Sequence, residues 1–549
     1  MLYYNSFELS KKWAPIVSAY NDGMTVHELI KCLRKMTEEL YGNECQLNEK
    51  MDNLIQFIEK GGFERYIIKE LRKMRENGEL AKIINEEIFQ ELNSRIRTVE
   101  NNFEIFKDET EQQLKKASIL EKEKRINVRY FMDGSYDGVL RNFTDALQSA
   151  LNSKFTIIET PEGVYDLVKT IRIPSGKTLS MYGTTIRKSS SFNTMFLGDS
   201  AGVIGGYDAI DSIVVEGGMI DVNGERYSEQ AGAFAFGHAN NILIKEVNMK
   251  NLYDWHYIEF NACKSCRVID CKFEGQINPS GTEMIQLDLA LSANEFPWYG
   301  PFDSTPCDDI LIQGCVFQSG RIGIGSHTSA LNKQHRHVRI VSNEFRNMSK
   351  FAVSLLNTND VVFSNNQLED CYNGFATKSH VGNTCKNYTI VGNTISKCVG
   401  TDSRGIHIQG DVNEGTITGN LLSNIGRHGI GVDDSTRWTV SGNTLYNIGR
   451  VGIWIYGTTR TVVKGNNVTE ANTVGQSDTY GIQIGFVGAD AQTGTNNILV
   501  ADNYTEGLGV RFTTTTFVTN NMVTRRGLVL TNNANQVAKA NVVEGAYQE

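Results

Sequence analysis

Three short segments decide how this chain folds: Ile417-Thr418-Gly419-Asn420-Leu421-Leu422, Val440-Ser441-Gly442-Asn443-Thr444-Leu445 and Val463-Lys464-Gly465-Asn466-Asn467-Val468. Each reads apolar-x-x-Asn-x-apolar. Upstream copies centre on Asn343, Asn366 and Asn393, and downstream copies on Asn503, Asn521 and Asn541. Further upstream, Val247, Cys271 and Cys315 stand where the others have Asn. Most neighbouring copies lie about 18 to 28 residues apart. That period is too short for a propeller blade and carries no repeated helix, so it fits one coil of a parallel β-helix. Coils stack at about 4.8 Å, which turns equivalent residues into columns. An Asn column can then bond amide to amide from coil to coil, and the Gly before several of these Asn suits a bend.

A second column precedes each copy. It reads Tyr257-Ile258-Glu259-Phe260-Asn261, Met284-Ile285-Gln286-Leu287-Asp288 and Gly323-Ile324-Gly325-Ser326-His327, then Gly405-Ile406-His407-Ile408-Gln409, Gly429-Ile430-Gly431-Val432-Asp433 and Gly452-Ile453-Trp454-Ile455-Tyr456. Apolar residues at the second and fourth positions point inward, so the third and fifth point outward. The expectation is an exposed face bearing Glu259, Gln286, Asp288, His327, His407, Asp433, Trp454 and Tyr456.

The rest of the composition agrees with two unlike parts. Of 51 Gly and 50 Asn, only 5 and 10 fall within the first 125 residues, where charged residues crowd instead. Residues 1–125 read as helices, and Ile96, Val99, Phe103, Phe106, Thr110, Gln113, Ala117 and Leu120 form an a/d seam of about three heptads. That seam suits either an oligomeric stem or a helix lying on its own domain. The remaining residues, 126–549, form the solenoid. A net charge of −9 and no dense Lys/Arg stretch disfavour nucleic-acid binding, and no run of about 20 apolar residues suggests a membrane span. Met1 to Lys12 has neither the basic nor the apolar region of a secretory leader, so synthesis in a reducing cytoplasm is expected. Cys263 and Cys266 form a C-x-x-C without a second pair at zinc spacing, and read as structural.

Asp137-Gly138, Thr144-Asp145-Ala146, Thr160-Pro161-Glu162-Gly163-Val164-Tyr165, Ile171-Arg172-Ile173-Pro174 and Met181-Tyr182-Gly183 resemble the first coil of pectate-lyase-like right-handed β-helix proteins, bacteriophage tail spikes in particular. Gln286-Leu287-Asp288, Phe302-Asp303-Ser304-Thr305-Pro306-Cys307 and Gly325-Ser326-His327-Thr328 are similar to tail spikes and appendages of phages of Gram-positive bacteria. The resemblance covers roughly 126–545. It implies a virion protein, usually a homotrimer, whose N-terminal helices meet other tail proteins and whose β-helix attacks a teichoic acid or surface polysaccharide of the host cell wall.

The outward face offers matching chemistry. Glycoside hydrolysis needs a proton donor and a second carboxylate. Glu259 and Asp288 are one coil and two strand residues apart, about 8 Å between Cβ atoms, which favours inversion over retention. Asp288 and His327 share one position on successive coils and should touch. The long insert before His327 carries Phe296-Pro297-Trp298-Tyr299-Gly300-Pro301 and Asp303, a stiff aromatic wall for a sugar groove. Glu259, Asp288, Asp303 and His327 are thus the catalytic candidates. His256, Gln286, Trp298, Tyr299, Arg321, Trp454 and Tyr456 are the substrate-binding ones. No cofactor is required, although Asp288, His327 and Asp303 are admissible ligands for a divalent metal if the reaction is phosphodiester cleavage.

Each residue also has a plainer role open to it. Glu259 would be a solvated face residue, His327 a turn cap and Asp303 an Asx partner of Thr305, while Trp454 and Tyr456 would serve as oligomer contacts. A polysaccharide lyase is disfavoured by the lack of Arg or Lys beside Asp288. A spike that adheres without cutting would use the same aromatic groove.

Overall fold

The computed structural model describes residues 125–548, apart from 201–202, 279–281, 295, 478, 486–494, 512, 532 and 545–546. The helical segment and heptad seam read from residues 1–125 lie outside the described residues, save Arg125 itself. From 125 onward the described chain is a right-handed parallel β-helix, the parallel coil being what the repeat predicts and the hand what the resemblance implies, and every pairing between its strands is parallel.

One sheet runs the length of the solenoid through strands such as Lys264–Ile269, Asp308–Gln313, His335–Val341 and Thr358–Ser364. The strands on the opposite walls include Ile258–Asn261, Glu283–Asp288, Val316–Gly325 and Glu344–Leu356. Val316–Gly325 bridges two walls, pairing with Lys272–Gln276 at its start and with Glu283–Asp288 at its end. The inward phase is as the alternation demands: Ile258, Phe260, Ile285, Leu287 and Ile324 are all fully buried. Inside, like stacks on like, with Phe273, Phe317 and Phe345 at 4.7 Å centroid spacings along the axis.

The Asn column is a continuous ladder. The side-chain oxygen of Asn420 accepts both the backbone N–H (3.0 Å) and the amide N–H (2.9 Å) of Asn393. Asn443 does the same for Asn420, and the pattern runs from Asn343 to Asn541. Cys315 joins its lower end through a backbone N–H to Asn343 Oδ1 at 2.9 Å. The residue before each ladder position is left-handed. Gly392, Gly419, Gly442 and Gly465 have φ between 61° and 67°, and Asn365, Asp502 and Asn520 take φ of 54–55°. Gly is free there, while Asn and Asp tolerate it through local hydrogen bonding.

A solenoid needs its open end covered. The helix Phe143–Leu151 does so, burying Phe143, Ala146, Leu147, Ala150 and Leu151, with Asn142 Oδ1 capping the N–H of Asp145 at 2.9 Å. All eight described cysteines, including Cys263 and Cys266, are buried free thiols, and no helix among the described residues is long and apolar enough to cross a membrane.

Candidate active site

Register places the predicted residues as the columns require. Glu259 pairs with Gln286 and Asn261 with Asp288, while Gln286 pairs with Gly325, which sets His327 on the coil above Asp288. Asp288 and His327 do meet, Oδ2 to Nε2 at 3.8 Å.

The face is not exposed, however. Glu259, Gln286 and Asp288 retain 2%, 2% and 0% of their surface. The outward phase is right, but the Trp255 indole N–H reaches Glu259 Oε2 at 3.2 Å, and Gln286 and Thr328 close over Asp288. Only His327, its side chain about half exposed (49%), opens the cluster to solvent.

Burial divides the carboxyls electrostatically. Desolvation, aided by the neighbouring Asp288 charge, raises Glu259 well above the usual carboxylate range. Its Oε1 is buried without a hydrogen-bond partner. Burial also lifts Asp288, but His327 and Thr328 hold it to about 6. The Thr328 hydroxyl donates to Asp288 Oδ1 at 2.7 Å, its backbone N–H adds a bond at 3.3 Å, and Gln286 Nε2 donates to Oδ2.

A third carboxyl escaped the sequence reading. Glu283 Oε2 lies 3.6 Å from His327 Nδ1, and although burial pushes Glu283 up, His327 and His256 bring it below its ordinary value. Strict alternation groups Glu283 with inward Ile285 and Leu287. Its side chain nonetheless lies against Gly325, where an added Cβ would come 2.6 Å from Glu283 Cγ. His256 is buried, and its Nδ1–H donates to the Glu283 carbonyl at 2.6 Å, leaving Nε2 as an acceptor; burial lowers this imidazole to about 4. Trp255 reaches Glu259 from a φ of 97°, a conformation costing a side-chain-bearing residue roughly 1–3 kcal/mol.

The other candidates lie apart from this cluster or serve the fold. Asp303 is exposed and receives the N–H groups of Thr305 (2.9 Å) and Gly206 (3.0 Å), so the Asx reading describes its contacts. Among the described residues no three His, Cys, Asp or Glu converge as a metal site, so Asp303 does not join Asp288 and His327 as a ligand set. Tyr299 is 4% exposed rather than a groove wall. Its hydroxyl donates toward the carbonyls of Gly198 (2.7 Å) and Ala235 (3.0 Å), and it fills space left by Gly237. Trp298 is half-buried against the core. Arg321 sits where the register slips between Gly320 and Ile322, its N–H on Gln276 Oε1 at 2.9 Å. Trp454 and Tyr456 line a different pocket, farther along the axis.

Comparison with known proteins finds partial similarities. Residues 385–484 match the family model described as periplasmic copper-binding protein (NosD). The plasmin and fibronectin-binding protein A of Streptococcus pneumoniae is 28% identical over 245 residues, covering 38% of this chain and 34% of that protein. The chain therefore spans about a third of that curated relative. Among solved structures, the S. pneumoniae surface adhesin PfbA is 17% identical with a TM-score of 0.42, covering 78% of this chain and 93% of that one. The tailspike of an E. coli bacteriophage in complex with a hexasaccharide is 14% identical, TM-score 0.45, covering 77% and 81%. The exopolygalacturonase of Thermotoga maritima is 10% identical, TM-score 0.40, covering 76% and 92%. These are likenesses of fold.

Proposed function

We propose that this chain is a phage tail spike that hydrolyses a glycan of the bacterial surface, a wall teichoic acid or surface polysaccharide, and that it works at the host surface as a homotrimeric part of the virion. The observation that carries the chemistry is the unequal lift that burial gives two carboxyls one coil apart. Glu259 holds its proton and serves as the general acid toward the leaving oxygen. Asp288, at about 6, is largely ionised at neutral pH and activates water as the base. His327, the exposed member, sits between Asp288 and Glu283 and steadies that charge. The offset of about 8 Å leaves room for the water of an inverting reaction. Substrate enters beside His327, and Trp255 moves off Glu259 to admit the scissile oxygen.

The test is release of soluble fragments from purified host walls. Wild type should release them, and Asp288→Asn and Glu259→Gln should each lose about 10²–10⁴-fold in rate, the usual contribution of a general acid or base. Equal release by wild type and both variants would remove the cluster from catalysis.

One observation favours a second reading, an adhesin that binds without cutting: Glu259 and Asp288 are covered, and a relative over part of the chain is a plasmin- and fibronectin-binding protein. Absence of release by wild type, with retained binding to the walls, would select it.

A further inference from the structure

His407 stands in the same outward column as Gln286, four coils on, about 19 Å along the axis. Around it lies a second polar cluster that the carboxyl site does not use. His407 Nε2–H donates to Asp433 Oδ2 at 2.8 Å, which leaves Nδ1 to accept from Arg404 Nη1 at 2.7 Å. Arg427 Nε donates to His428 Nε2 at 3.1 Å, so the His428 proton resides on Nδ1. The cluster opens into a cavity of about 210 Å³ roofed by Trp454 and Tyr456. That is smaller than the roughly 300–1,000 Å³ of a drug-sized site and suits a single ring.

Three polar atoms here are buried without a hydrogen-bond partner: Arg404 Nε, His428 Nδ1 and Asp433 Oδ1. Two are donors and one an acceptor. Buried polar atoms left unpaired are costly, so a partner is expected. Asp402 matches the charge of Arg427, held at 2.8 Å, and Asp433 acts on that of Arg404 across the His407 they share. Both imidazoles are kept neutral by burial, His428 down to about 3 and His407 also lowered. The cavity thus calls for a neutral ligand that both accepts and donates hydrogen bonds and offers a flat face to an indole. Trp454 presents that indole, 5.2 Å from the His428 ring and 6.2 Å from Tyr456.

The cavity also owes its existence to one residue. Gly431 lies in the column between His407 and Trp454. A Cβ there would come 3.2 Å from His407 Cδ2, and larger branches would fill the space.

We propose that this cavity is a second saccharide site, which holds one neutral sugar ring stacked on Trp454. Ring hydroxyls accept from Arg404 Nε and His428 Nδ1 and donate to Asp433 Oδ1. The assignment does not depend on the carboxyl cluster being catalytic.

Saturation-transfer NMR on the full chain tests it, with glucose, galactose, N-acetylglucosamine and galacturonate as separate millimolar probes. At least one neutral sugar should show transfer, weakened about tenfold in affinity or more by Trp454→Ala and by Gly431→Val. The signal should persist in Asp288→Asn, which separates this site from the carboxyl cluster. The two variants act by different means, one removing the platform and one filling the cavity, and circular dichroism confirms that each retains the β-helix. No transfer from any neutral sugar, transfer confined to galacturonate, or transfer that survives both variants would each overturn the proposal.

Discussion

At the residue scale, Glu259 shows how burial changes the proton affinity of a common side chain. A carboxyl raised in the folded state binds its proton more tightly there than in the unfolded chain. Its protonated form is therefore favoured by folding, and stability declines as pH rises from the ordinary Glu range through the folded value. Glu259→Gln keeps an acceptor for the Trp255 indole and cannot ionise. Denaturant titrations between pH 5 and 9 should thus show the variant gaining on wild type as pH rises, with about equal stability at the acid end. A constant difference across that range would mean that Glu259 is not held protonated. Asp288 contributes in the same direction, with its window between its unfolded value near 3.8 and about 6.

Sequence legibility at this scale followed the physics of each residue. Glu259, Asp288 and His327 were found because strand alternation and coil stacking fix their positions. Their burial was not legible, since it depends on Trp255 swinging over from a left-handed backbone. Glu283 was hidden by the same alternation that revealed the others. Arg404 and Arg427 belong to strand starts and turns, where period-two reasoning assigns no direction.

At the scale of the element, the ladder is the part most legible and most open to test. Asn420 Oδ1 accepts two bonds from Asn393, and its amide donates to Asn443 Oδ1 and to the Ile390 carbonyl. Asn420→Ala leaves buried partners unsatisfied on both neighbouring coils, at about 1–3 kcal/mol per orphaned group. Unfolding measurements should show a loss of about 3 kcal/mol or more. Asn541, partly exposed, receives bonds from Asn521 but gives none to a further Asn, so Asn541→Ala should cost about 1 kcal/mol. Equal losses at the two positions would show that the rungs act independently of depth. The residue before each rung is left-handed, and although Gly, Asn or Asp stands at most of these bends, Ser342 and Ala540 stand at two of them, so Gly alone was an incomplete signature.

For the whole molecule, stability sums over nearest-neighbour coils, so the ends matter more than in a globular core. The helix Phe143–Leu151 covers the first coil with Leu147 fully buried. Leu147→Asp should expose the end of the stack and fray it. Hydrogen exchange should quicken in the first coils, around Ile157 to Ile173, while the ladder coils stay protected. Uniform loss across the chain would argue against coil-by-coil behaviour. Trimerisation, which rests on resemblance and on a seam outside the described residues, predicts a solution mass three times 61.2 kDa by sedimentation. A monomer at micromolar concentration would refute it.

The parallel register has one more consequence. Because each coil advances the chain by a fixed step of about 4.8 Å, the outward wall is a ruler. Insertions such as the one carrying Phe296 and Tyr299 bulge sideways at a single graduation and leave the spacing of all the others unchanged. The distance between the carboxyl cluster and the Trp454 cavity is therefore set by the number of coils, whatever loops are inserted between them. A polymer lying along this wall would be measured as well as bound.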